Sequence, residues 1–353
     1  MGEEYFRQLW DGKRNTAADR LLVRLMKPFS SLYSLALIFR AKGYSAGVLP
    51  SYRLPRPVVS VGNLTVGGTG KTPLVAYIAR WLMERGKRAA VLSRGYGGSM
   101  EGKVRIVSDG GSIHLSPAEA GDEPYLLASS LPGLAVIVGS DRYRAGLLAM
   151  RELEPDIFIL DDGYQHLRLE RDLNLLLLDC ERPYGNGRTI PAGALREPLS
   201  ALERADLLIF TRCGGNVPRN PTNKPFCAVS HILGGAISVQ DGAEVRFEEL
   251  KRQRALAFAG IADPSHFFES LRIEGLTLSA VLPFSDHCSY GEREIESLCR
   301  LKESSNSDFL ITTEKDAVKL KSHLGRLGTV YSARLKLSFS DVRPLETELE
   351  KLL

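Results

Sequence analysis

The 353-residue sequence predicts an α/β protein: a doubly wound, mostly parallel sheet, a second, smaller α/β domain after it and an amphipathic helical segment ahead of it. Three observations carry this prediction. From Pro57 onward, short runs rich in Val, Ile and Leu alternate with helical patterns, as expected of strands covered on both faces by crossover helices. A glycine-rich turn separates the first such strand from the first helix. Before it, residues 1–56 hold ten lysines and arginines against four acidic residues, and Arg20 to Arg56 contains no acid at all.

With 44% hydrophobic and 25% charged residues, the composition excludes a disordered, collagen-like or disulfide-stapled chain. Five cysteines, an odd number without a C-x-x-C pair, suggest neither a disulfide framework nor a zinc ribbon, so a reducing compartment is expected.

In the basic segment, Leu21, Leu22, Leu25, Met26, Phe29, Leu32, Tyr33, Ala36 and Leu37 recur at helical spacing, with Pro28 as an interruption. The longest apolar run, Leu35–Phe39, is far short of the roughly 20 residues that span a bilayer, so a transmembrane helix is not expected. Glu3, Glu4, Asp11 and Asp19 also argue against a signal peptide, and a cytoplasmic location is expected. Two readings of the segment stand side by side: a helix lying in a membrane surface, and a core-packing helix whose cations are solvated. Nucleic acid is not an expected partner, because the cations are not interleaved with stacking aromatics and the rest of the chain is slightly acidic.

Pro57–Val61 reads as a buried strand and Pro73–Arg85 as a helix; further strands are expected at 89–93, 135–138, 157–160, 173–179 and 207–211. The intervening loop ends in Gly67-Gly68-Thr69-Gly70-Lys71-Thr72, the core of a P-loop, which makes the predicted sheet P-loop NTPase-like. Residues Thr65, Val66, Gly67, Gly68, Thr69, Gly70, Lys71 and Thr72 would cradle the phosphates of ATP, with Lys71 reaching the β and γ groups and Thr72 offering its hydroxyl to Mg²⁺. One departure is that Thr65 stands where the pattern has its first glycine. Asp161-Asp162, directly after a strand, are the candidate carboxylates for the metal, with Asp179 as a rival.

Several motifs together resemble a known family, the tetraacyldisaccharide 4'-kinases of lipid A biosynthesis. They are the variant P-loop, Ser93-Arg94-Gly95-Tyr96-Gly97, Gly121-Asp122-Glu123-Pro124, Leu160-Asp161-Asp162-Gly163-Tyr164-Gln165-His166, Pro191-Ala192-Gly193 with Leu195-Arg196-Glu197-Pro198, Phe284-Ser285-Asp286-His287, and Thr312–Lys319. The resemblance implies transfer of the ATP γ-phosphate to the 4'-hydroxyl of an acylated glucosamine disaccharide 1-phosphate, giving lipid IVA, at the cytoplasmic face of the bacterial inner membrane. It also implies a dyad in which Asp122 takes the hydroxyl proton and His287 supports it, with Lys71 and Arg94 on the transferring phosphate. Glu123, Asp161, Asp162 and Glu197 are all candidates for the magnesium, and the sequence does not rank them. His166 follows the acidic pair and could orient a carboxylate.

The expected organisation is an N-terminal membrane-associating segment (1–56), a P-loop core (57–220), a linker with two-stranded character (221–250) and a small α/β lid (251–353). His287 in the lid and Lys71 in the core would make catalysis depend on closure. The alternative function is a membrane-associated ATPase switch of the ParA/MinD kind, although Val66 stands where that group carries a lysine. No N-K-x-D motif supports a GTP-binding module.

Overall fold

The computed structural model describes residues 2–213, 220 and 222–353. The expected boundary between core and linker, at 220–221, falls on residues of which only Asn220 is described. In chain order the elements are α1 (Gly2–Trp10), α2 (Ala17–Ser45), β1 (Val58–Asn63), α3 (Lys71–Glu84), β2 (Ala89–Ser93), β3 (Arg105–Asp109), α4 (Pro117–Ala120), α5 (Asp122–Ser130), β4 (Ala135–Val138), α6 (Arg142–Glu152), β5 (Ile157–Asp161), β6 (Leu173–Asp179) and β7 (Leu207–Thr211). There follow β8 (Phe226–Ser238), β9 (Glu244–Val245), α7 (Phe247–Leu250), β10 (Arg254–Ala259), α8 (Pro264–Ile273), β11 (Thr277–Pro283), α9 (Glu292–Ser304), β12 (Phe309–Thr313), α10 (Glu314–Ala317), α11 (Leu324–Leu327), β13 (Val330–Phe339) and α12 (Arg343–Glu350).

The chain forms two compact units, neither contiguous in sequence. The first holds residues 1–94, 141–230 and 339–353, and the second residues 95–140 and 231–338. The expected contiguous blocks, 57–220 and 251–353, therefore differ from the units at both ends.

In the first unit, β7, β6, β1, β5 and β2 lie side by side in that order, all parallel, with the first half of β8 beyond β7. Every residue of β1, β2, β5 and β7 is buried, which explains their mostly apolar runs. The α3 helix buries Leu74, Val75, Ile78, Ala79 and Leu82, the one-face spacing of an amphipathic helix. The C-terminal helix α12 belongs to this unit: Leu345 and Leu349 are buried, and Glu346 accepts a hydrogen bond from Trp81 Nε1 at 3.1 Å. Cys180 and Cys213, just after β6 and β7, are joined by a disulfide, which the cysteine pattern did not suggest.

The helix α2 corrects one expectation. Pro28 does not interrupt it; α2 runs for 29 residues, capped by Thr16 and Asp19. Pro28 sits on an exposed stretch, and the helix runs through it. As a single helix, α2 is also long and apolar enough to cross a membrane, by length and composition alone. It is not a core-packing helix. Leu21, Leu25, Phe29, Leu32 and Phe39 are exposed, Phe29 at 66%, while the small and polar face is the one that docks. Ser30 Oγ donates to the Thr189 carbonyl at 2.7 Å, Ser34 and Thr189 share a hydroxyl hydrogen bond at 2.8 Å, and Arg40 donates to the Gln165 carbonyl at 3.2 Å.

In the second unit, β11, β10, β12 and β13 form a parallel sheet, β9 pairs antiparallel with the end of β8, and β3 with β4. The two-residue period of β10 shows in its packing. Ala255, Ala257 and Ala259 join Phe267, Phe268 and Leu271 of α8 on one face, and Leu256 and Phe258 join Tyr290, Ile295 and Leu298 on the other.

Candidate active site

Candidate residues gather in two clusters, one in each unit. In the first unit, β1 delivers the chain to Asn63, and the loop that follows turns into α3 at Gly70, whose φ of +80° is the left-handed region open to glycine. The first residue of α3 is Lys71, two positions before the expected helix start. Its ammonium donates to Asn63 Oδ1 at 3.2 Å and lies 3.5 Å from Asp162 Oδ1. Asp162, with φ +52°, follows β5 directly and also receives Arg196 Nη1 on Oδ2 at 2.8 Å. Burial pushes the Asp162 carboxyl up, but Lys71 and Arg196 outweigh it and hold the group below the usual carboxylate range.

The loop itself is braced from one side. Val66 N–H donates to the Ala194 carbonyl at 2.7 Å, Arg196 N–H to that of Leu64 at 2.6 Å, and Thr65 bridges Leu195. Gly67, with φ +113°, and Gly68 have little or nothing beside them where a side chain would sit, so their backbone is open to a ligand. Thr69 is buried with no hydrogen-bond partner for its hydroxyl, and Thr72 is half-buried in the first turn of α3.

Asp161 ends β5 and accepts from Ser93 Oγ at 3.2 Å. Arg142, buried at the start of α6, feels both Asp161 and Asp162, as well as the like charge of Arg94; burial nevertheless leaves its guanidinium pKa lowered. Glu197 pairs through Oε2 with Arg204 at 2.5 Å, whose guanidinium lies over the Tyr164 ring, while its buried Oε1 has no hydrogen-bond partner. His166 is held neutral, its pKa lowered to about 4 by burial and by the nearby Arg142.

A magnesium ion bound with nucleotide takes one or two carboxylates, a hydroxyl, water and phosphate oxygens. The residues of this cluster fit that demand. Thr72 would supply the hydroxyl and Asp161 and Asp162 the carboxylates, and Asp162 Oδ1 is a buried oxygen without a hydrogen-bond partner. Among the described residues, no group of three or more His, Cys, Asp or Glu makes a self-sufficient metal cage.

In the second unit, Asp122 opens α5, where the helix N-terminus favours its negative charge. His287 stands at φ +59°, a conformation uncommon for a side-chain-bearing residue, and its N–H is bound by the Gly260 carbonyl and Asp286 Oδ1. This brings His287 Nδ1 to 3.3 Å from Asp122 Oδ2. Lys319 reaches the same oxygen at 2.8 Å and donates to the Cys288 carbonyl at 2.8 Å. Lys315 lies 3.4 Å from His287 Nε2, 3.4 Å from Asp286 and 3.8 Å from Glu123. Burial raises the Asp122 pKa, yet His287 and Lys319 hold it below the usual range. Asp122 is held as an anion, with His287 and Lys319 both on Oδ2.

The sequence named Lys71, Asp162, Asp122 and His287 as candidates, and the structure brings Lys71 beside Asp162 and His287 beside Asp122. Sequence reasoning assigned no role to Asn63, Arg196, Lys315 or Lys319, although all four lie inside quoted motifs, and Arg142 carried no signal at all.

The sequence family described as LpxK, tetraacyldisaccharide-1-P 4'-kinase, matches residues 22–353. A tetraacyldisaccharide 4'-kinase of Geobacter sulfurreducens is 55% identical over 350 residues, 99% of each chain. That of Geobacter metallireducens is 56% identical over 336 residues, 95% of this chain and 99% of its own. The crystal structure of LpxK from Aquifex aeolicus in complex with ATP has a TM-score of 0.80 and 37% identity, covering 94% of this chain and 99% of that one.

Proposed function

The chain belongs to the tetraacyldisaccharide-1-P 4'-kinase family, and from that premise we propose how its two clusters divide the work. The activity is transfer of the ATP γ-phosphate to the 4'-hydroxyl of tetraacyldisaccharide 1-phosphate, a step of lipid A biosynthesis. Family membership decides against the ATPase-switch alternative.

In this reading the backbone N–H groups of residues 67–72 hold the phosphates and Lys71 meets the β and γ groups. Thr72 with Asp161 and Asp162 would hold Mg²⁺, which when bound would offset charge on the phosphate oxygens. Glu197 and Glu123 are left to their cations, Arg204 and Lys315. Arg94, at the end of β2, adds positive charge on the transferring group. Asp122 Oδ1 takes the 4'-hydroxyl proton as the new O–Pγ bond forms and the bond to the departing ADP breaks; His287 fixes the carboxylate's orientation. The observation that carries the reading is Lys71, held between Asn63 and Asp162 at the head of a glycine loop that opens a helix.

The apolar stripe of α2 suits a membrane-bound acceptor. Its docked face carries the Ser30, Ser34 and Arg40 hydrogen bonds, so the proposal is a helix lying in the surface of the inner membrane on its cytoplasmic side, with Leu21, Leu25, Phe29, Leu32 and Phe39 among acyl chains.

The test is transfer of labelled γ-phosphate to tetraacyldisaccharide 1-phosphate in detergent micelles, beside Lys71→Ala and a no-acceptor control. Labelled lipid is expected only with the unaltered protein and acceptor. Phosphate release without labelled lipid would refute the reading.

A further inference from the structure

The helix α1 precedes the span matched by the family, which begins at residue 22, and yet it is docked beside the P-loop. Three contacts hold it there. Trp10 Nε1 donates to the Pro191 carbonyl at 2.9 Å, Asp11 pairs with Arg182 at 2.8 Å, and Leu9 is only 5% exposed. Pro191 sits in the segment whose Ala194 and Leu195 run along the loop, so α1 is fastened to the strip that braces residues 64–66. Arg7 is three residues before Trp10 and shares its helix face. Its Nη2 atom lies 3.9 Å from the point a side-chain carbon would occupy on Gly67.

Gly67 stands four residues before Lys71, on the outer turn of the phosphate loop, and its open backbone at φ +113° lets a guanidinium approach. Phosphoryl transfer spreads negative charge over the three equatorial oxygens of the moving group, and an arginine supplied in cis or in trans often neutralises it. A planar guanidinium can bind two such oxygens at once. Lys71 and Arg196 both already face Asp162, so a further cation at the loop's lip has a distinct task.

We propose that Arg7 is a catalytic residue: an arginine finger in cis, carried by α1, that binds the γ-phosphate of the nucleotide during transfer. It forms and breaks no covalent bond; the Pγ–O bond to ADP breaks, the bond to the acceptor oxygen forms, and the proton leaves to Asp122. The proposal rests on the kinase reading.

The test compares full-length protein with Arg7→Ala and Arg7→Lys, measuring kcat and KM for ATP and for the lipid acceptor separately. Arg7→Ala is expected to lose about a hundredfold in kcat with KM for ATP changed less than about threefold, and Arg7→Lys about tenfold, since an ammonium lacks the fork. Methylguanidine in solution should restore several-fold activity to Arg7→Ala, which a merely undocked helix would not show. Aluminium fluoride should strengthen ADP binding in the unaltered protein and fail to do so in Arg7→Ala. Unchanged kcat, a loss confined to KM for the lipid, or a loss with neither rescue nor altered fluoroaluminate response would each overturn the assignment. If the unaltered protein transfers no phosphate to the lipid, the kinase reading fails instead.

Discussion

The phosphate loop and the Asp122 cluster both hold a carboxylate ionised against burial, but they are built in opposite ways. Around the loop, one continuous stretch from Asn63 to Thr72 supplies the backbone, and the anion Asp162 follows the neighbouring strand. Around Asp122, partners come from three separate segments: the start of α5, the turn at 286–287 and the residues following β12. Where backbone amides do the binding, the site is written locally; where side chains do it, only the fold assembles it.

The largest expected effects fall on the anchors of the two clusters. Asp122→Ala should lower turnover at least about tenfold, as removal of a transition-state base does, and unchanged turnover in steady-state assays would remove it from the reaction. Next comes Lys319→Met, which strips the ammonium 2.8 Å from Asp122. The Asp122 carboxyl, then held by His287 and Lys315, should titrate at higher pH, so the acid limb of the pH–rate profile should move upward; Lys319→Arg should restore it. A profile that does not move would show that Lys319 only packs.

The smallest effect belongs to the first unit. His166 has a folded pKa of about 4 against 6.5 when free, so the unfolded chain takes up the proton first. Its contribution to stability is complete above pH 6.5 and lost as the pH falls toward 4, at most about 3 kcal/mol and less where water reaches the ring. Chemical denaturation of His166→Gln should show a flatter pH dependence over that window, and a slope equal to that of the unaltered protein would contradict it.

The same contrast explains what the sequence made legible. The parallel strands β1, β2, β5, β6 and β7 could be read because both their faces are largely buried and they appear as short, mostly apolar runs. The strand β13 was not anticipated, since its later residues alternate between partly buried and exposed positions, and α12 lies over 250 residues from Trp81, which it meets. Pro28 misled because a helix capped before a proline and docked after it can run through it, which a sequence does not state. Lys71 and Asp162 were legible from spacing. Lys319 was not, because its contact with Asp122 spans nearly 200 residues, and Arg7 looked like one more cation in a basic segment.

The division of labour is tested most directly by equilibrium binding of ATP to Lys71→Ala and Asp122→Ala, each paired with the labelled-phosphate transfer assay. The account predicts that Asp122→Ala binds ATP like the unaltered protein but transfers its phosphate poorly, and that Lys71→Ala loses both. ATP binding retained by Lys71→Ala, or lost by Asp122→Ala, would contradict it.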